Sequence, residues 1–219
     1  MLRHKLPYDS SDRQWPSGQV AKWPSGRKLT WILVLACLAV LFAPRPASAS
    51  LCVWRAPDED IASIYDATSY KTVFEDIGDD LRARIEERLD YELDPDETQF
   101  KFFPVFDGEE QVGTVMTHAG KGQFGVIEVV VAVIDTGTGA IVKAVRIQRD
   151  REMAKEAIRS RKFLSQFKKM TSTDGFEIGT DLNTAEEGAE RSSQAIANAV
   201  RKLLIVYDEF NAPSGGSSE

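Results

Sequence analysis

From Val126 to Ile134 the chain is apolar at every position except Glu128. A strand with one wet face alternates apolar and polar residues, so a run of this kind predicts a central strand covered on both sides. Asp135-Thr136-Gly137-Thr138-Gly139 follows, a composition that turns the backbone sharply. Ala140 to Gln148 then returns with Ile141, Val145 and Ile147 in alternation. A buried central strand requires further strands beside it and helices packed on the sheet.

The flanking sequence offers both. Phe100, Phe102, Val105 and Phe106 predict a strand, Asp107-Gly108 a turn, and Val112, Val115 and Met116 a returning strand with His118 at its end, read as a surface or strand-end histidine. Gly120-Lys121-Gly122-Gln123-Phe124-Gly125 is a Gly-rich link to the central hairpin. It lacks the Gly-Lys-Ser/Thr ending of a phosphate-binding P-loop. Asp58 is placed to cap a first helix carrying Ile61, Ile64 and Tyr65. The spacing of Val73, Phe74, Ile77, Leu81, Ile85 and Leu89 predicts a longer helix over about 70–89, with Gly78 as a possible break. Phe163, Leu164 and Phe167 mark a short helix over 160–169. Ile196, Ala197, Val200, Leu203, Leu204 and Tyr207 lie on one face of a C-terminal helix, with Asn183 or Thr184 as candidate caps. The expected class is α+β, an antiparallel sheet packed by helices.

Charge divides the chain at Ala49. The first 49 residues hold seven basic and two acidic side chains, and the remainder holds 20 basic and 32 acidic. An acidic body repels phosphate backbones and argues against nucleic acid as a partner. Cys52 is the only cysteine after the leader, so an internal disulfide in the body is excluded, and no Cys/His cluster has metal-ligand spacing. Leu29 to Ala43 is an apolar run preceded by Arg27-Lys28 and followed by Pro44-Arg45-Pro46 and Ala47-Ser48-Ala49. That order predicts a secretory signal cleaved after Ala49. A membrane span needs about 20 apolar residues, so an anchor formed by residues 29–43 is the alternative. Trp15-Pro16-Ser17-Gly18 recurs as Trp23-Pro24-Ser25-Gly26, in what reads as a disordered extension or an upstream start. The resulting organisation is an extension over 1–28, a signal or anchor over 29–49, a helical part over 50–98, the main domain over 99–210 and a flexible tail over 211–219.

Gly188-Ala189, then Ser192-Ser193 and Ala195-Ile196, resembles the end of the FMN-binding domain family found in the periplasmic C and G subunits of the sodium-pumping quinone reductase and of Rnf complexes. The central hairpin and Phe163-Leu164-Ser165-Gln166-Phe167 also resemble that family, which extends the likeness over roughly 100–210. The resemblance implies an exported, periplasmic protein acting in or beside an electron-transfer chain. Its partner would be a membrane redox complex or another exported electron carrier. It also implies a flavin site around Gly188, Ala189, Glu190, Arg191, Ser192, Ser193 and Glu152.

Two departures weaken the flavin site. The family attaches FMN to the threonine of Ser/Thr-Gly-Ala-Thr, and Glu190 stands at that threonine here, so covalent attachment is not expected. After the hairpin the family has Glu-Thr-Pro-Gly or a shorter Glu-x-x-Gly, whereas Glu152 is followed here by Met153-Ala154-Lys155. Non-covalent FMN on Arg191, Ser192, Ser193 and the helix N–H groups stays open. It is opposed by Glu186, Glu187 and Glu190, since a carboxylate about 4 Å from a phosphate repels it by about 4 kcal/mol at an effective dielectric near 20. A flavin-free accessory subunit on the same scaffold is the alternative. No nucleophile–base pair points to a hydrolase or transferase.

Overall fold

The computed structural model describes residues 56–66 and 69–212. The extension and the leader lie outside the described residues, as does all of the tail beyond Ala212. Among the described residues no helix is long and apolar enough to cross a membrane.

Six antiparallel strands form one sheet. The strands are β1 (Ser69–Tyr70), β2 (Val73–Asp76), β3 (Gln99–Asp107), β4 (Glu110–Lys121), β5 (Val126–Asp135) and β6 (Ala140–Arg149). The order is β1-β3-β4-β5-β6, with β2 also paired to β3, so β6 is an edge strand. The helices are α1 (Asp58–Tyr65), α2 (Asp79–Leu89), α3 (Lys155–Ile158), α4 (Arg161–Leu164) and α5 (Glu190–Asn211), with a 3₁₀ turn at Ser165–Phe167. This is the α+β class expected from the strand and helix patterns.

The continuous apolar run of β5 follows from its two covered faces. Val129, Val131 and Val133 enter the larger core with Ile196, Val200, Leu203 and Leu204 of α5. Val130 and Ala132 enter a smaller core with Ile61 of α1, Phe103, Val105 and Val115. Every second residue thus meets α5 and the others meet the α1 side. Complete burial of one Leu, Ile or Val contributes about 1.5–3 kcal/mol, which makes α5 the principal cover of the sheet. Polar contacts fix its position. Arg201 donates to the carbonyls of Arg88 (2.9 Å) and Leu89 (3.2 Å) at the end of α2. Lys202, itself 5% exposed, pairs with Glu97 at 2.6 Å.

Three local expectations are corrected. The helix expected over 70–89 begins only at Asp79, and Gly78 precedes it in extended conformation. Val73 and Phe74 instead lie in β2, opposite Phe102 and Lys101. Their spacing suits a helix, but pairing with β3 satisfies their backbone and suits a branched and an aromatic side chain. Phe74 is exposed, with the Lys101 ammonium 5.1 Å from its ring centre. The cap expected at Asn183 or Thr184 is absent: α5 starts at Glu190, Ala189 precedes it, and no side chain caps it. His118 is not at the strand end. It pairs with Val129 inside β4, and burial together with the Lys202 ammonium pushes its pKa down to about 3.

Candidate functional site

The sheet brings the Gly-rich β4–β5 link beside the segment that leaves β6. In that segment Asp150 is the organiser. One carboxylate oxygen accepts the Glu152 N–H at 3.1 Å, and the other pairs with Arg159 at 2.6 Å. The segment is thereby turned so that the Glu152 side chain points inward, 6% exposed.

The Glu152 carboxylate lies in the β4–β5 link. It accepts the backbone N–H groups of Gln123 (3.2 Å), Phe124 (3.0 Å) and Gly125 (3.2 Å). Successive N–H groups converging on one point form an anion cradle, and here the anion is the protein's own. Ser192 of α5 donates its hydroxyl to the same carboxylate at 2.5 Å. Glycine is required at 122, because a Cβ there would lie 2.7 Å from the Ile127 side chain and 2.9 Å from the Glu152 carboxyl carbon. The result ties the link, the post-hairpin segment and the first turn of α5 together through a single side chain.

The start of α5 is also committed. Gly188 has φ +85, a conformation that glycine adopts readily and other residues do not. The exposed Glu190 carboxylate folds back and accepts the Gly188 N–H at 3.0 Å. Its own N–H and that of Gly188 hold its carboxyl below the ordinary value. The side chain therefore takes the position at a helix N-terminus where an external anion would bind. Ser193 is fully buried, and its hydroxyl accepts the Ala185 N–H at 3.0 Å, with the Thr184 hydroxyl 3.3 Å away. Ala189 is buried as well, while Arg191 projects into solvent.

Of the seven residues singled out in the sequence, the fold thus joins Glu152 to Ser192. Ser193 is turned toward the preceding loop, and Gly188, Glu190 and Arg191 stay at the surface. The Ser192 and Ser193 hydroxyls and the Gly188 N–H are engaged within the protein, while the Arg191 side chain projects into solvent beside the exposed Glu190 carboxylate. Among the described residues no three His, Cys, Asp or Glu side chains converge as metal ligands.

Two concave features were missed in the sequence. A cavity of about 600 Å³ lies between the β5–β6 turn and the end of α5, bordered by Arg88, Asp135, Ser172, Tyr207 and Asp208. A cleft of about 390 Å³ lies along β6 and gathers Lys143, Arg146, Arg159, Arg161 and Lys168. The second had a signal: Lys143, Arg146, Arg159 and Arg161 are a concentration of cations in an otherwise acidic body. The sequence matches no protein-family model and no curated protein. Among solved structures, the fold is similar to the crystal structure of Shewanella oneidensis NqrC, with a TM-score of 0.44 and 14% sequence identity over 69% of this chain and 84% of that one.

Proposed function

We propose that this chain is a flavin-free accessory subunit. In this reading it uses an α+β scaffold resembling the FMN-binding domain as an interaction surface beside an exported or membrane-bound electron-transfer complex. The observation that carries it is Glu190, which stands at the position of the family's attachment threonine: it has no hydroxyl to esterify, and its carboxylate folds onto the Gly188 N–H and adds a negative charge at the start of α5. Export through the leader at 29–49, or anchorage by residues 29–43, belongs to this proposal, as does a membrane redox complex as partner.

The test is the visible absorption spectrum of the protein exported from cells with and without a flavin transferase, before and after acid precipitation. Colourless, folded protein in both cases is the expected result. Flavin released into the acid supernatant would replace this reading with a non-covalent FMN carrier. Flavin retained in the pellet would overturn the assignment of Glu190.

A further inference from the structure

Five basic side chains meet in the cleft along β6, and none of the described residues lining it is acidic. In a body with 20 basic and 32 acidic residues, such a concentration is costly to maintain, because like charges held together raise the energy of the free protein. Three of the five cations are also held in place. The Lys143 ammonium sits 4.0 Å above the Tyr65 ring. Arg146 donates to the Ser63 hydroxyl at 3.0 Å. Arg159 pairs with Asp150, whose side chain is fully buried, and donates to the Gln148 carbonyl. Arg161 and Lys168 are exposed, and neither side chain has a hydrogen bond or ion pair among the described residues.

Asp150 offsets Arg159, and among the described residues no acidic side chain pairs with the other four cations lining the cleft. Arginine forks match the oxygens of phosphate groups; Lys143, Arg146 and Arg159 are already tied and lose little freedom on binding, and Arg161 and Lys168 are free to turn toward an anion. The volume lies near the lower end of the range for small-molecule sites, about 300–1,000 Å³. β6 is an edge strand, but its outer side is already occupied at both ends of the cleft. Lys169 and Met170 bond the backbone of Val142, and Arg159 bonds the Gln148 carbonyl. That leaves room for a compact anion rather than an added strand. We infer that the β6 cleft binds a phosphate-bearing anion, either a free diphosphate-type molecule or the phosphate headgroup of an anionic lipid. Lys143, Arg146, Arg161 and Lys168 take no part in the Glu152–Ser192 cluster, so the inference does not depend on whether flavin binds.

The test uses protein purified from cells expressing the whole chain. Titration calorimetry with inorganic pyrophosphate is run at fixed ionic strength. In parallel, co-flotation is measured with vesicles of neutral phosphatidylcholine and with vesicles containing phosphatidylglycerol. The cleft variant is Arg161→Glu with Lys168→Glu, and the control is Lys121→Glu with Lys155→Glu, an equal charge change on exposed residues outside the cleft. Saturable pyrophosphate binding weakened at least about tenfold in the cleft variant and retained in the control supports the inference with a free ligand. Flotation only with phosphatidylglycerol vesicles, lost in the same variant alone, supports it with a lipid headgroup. Absence of both interactions, or equal losses in the two variants, overturns it. Both substitutions of the cleft variant are at exposed positions, and a far-ultraviolet spectrum confirms that it is folded.

Discussion

Replacing Glu152 by alanine removes the one acceptor shared by the β4–β5 link and the start of α5. Three backbone N–H groups and the Ser192 hydroxyl lose their partner together. Hydrogen bonds to a charged group are each worth about 1.5–3 kcal/mol. The sum is not realised, because the Gly-rich link can open and let water reach Gln123 and Phe124. Ser192, at 1% exposure, has no such outlet. The expected loss is about 3–5 kcal/mol, the range for removing one member of a buried charged pair. That is a large share of the 5–15 kcal/mol typical of a domain. Glu152→Gln keeps the shape and one acceptor but aims an NH₂ at donors, so it should lose about 1–3 kcal/mol. Ser192→Ala should lose about 1–2 kcal/mol, and the double variant should lose less than the two single losses added, with a coupling of about 1–2 kcal/mol. Urea unfolding reads all four proteins, as shifts in midpoint at unchanged slope. A Glu152→Ala loss below about 0.5 kcal/mol would refute the reasoning. Glu152 would then not be the tie that holds the β4–β5 link to the start of α5.

Two further outcomes follow from other parts of the fold. His118 is held neutral, with its pKa pushed down to about 3 from an ordinary 6.5, so the unfolded chain binds the extra proton as pH falls. Its contribution is fully present above the ordinary pKa and is lost through the window down to the folded value. From about pH 7 to pH 5 stability should drop by about 2 kcal/mol, and His118→Gln should remove that slope in urea titrations. Glu209, whose carboxyl is drawn below its ordinary value by Arg88 and Arg84 against the opposing effect of burial, acts in the same direction but only at lower pH. Gly113→Ala should cost more than about 3 kcal/mol in thermal or urea unfolding, because the new Cβ would stand 2.5 Å from the Val133 carbonyl and 2.6 Å from the Tyr65 ring. Tyr65 cannot easily yield, since its hydroxyl donates to Val133 at 2.7 Å. A loss below about 1 kcal/mol would show that the ring moves freely.

The sequence by itself determined the two hairpins, the C-terminal helix and the α+β class, because each rests on a local pattern. Period-two and continuous apolar runs specify half-covered and fully covered strands, and Asp-Gly or Gly-rich turns reverse them. It also determined that residue 190 has no hydroxyl to carry a phosphoester. Local pattern failed at Val73 and Phe74, where pairing with β3 decided a strand that their spacing did not reveal. Only the tertiary structure decided which of the candidate residues meet. Glu152 and Ser192 lie 40 residues apart in the chain and meet because the hairpin and α5 pack on the same sheet. A carboxylate written in sequence can bind a ligand, repel it or replace it, and which of these holds depends on the donors that long-range packing brings to it. The β6 cleft has the same origin. Its cations come from β6, from the segment before α4, from α4 itself and from the residue after the 3₁₀ turn, and none of those elements sets the position of the others locally.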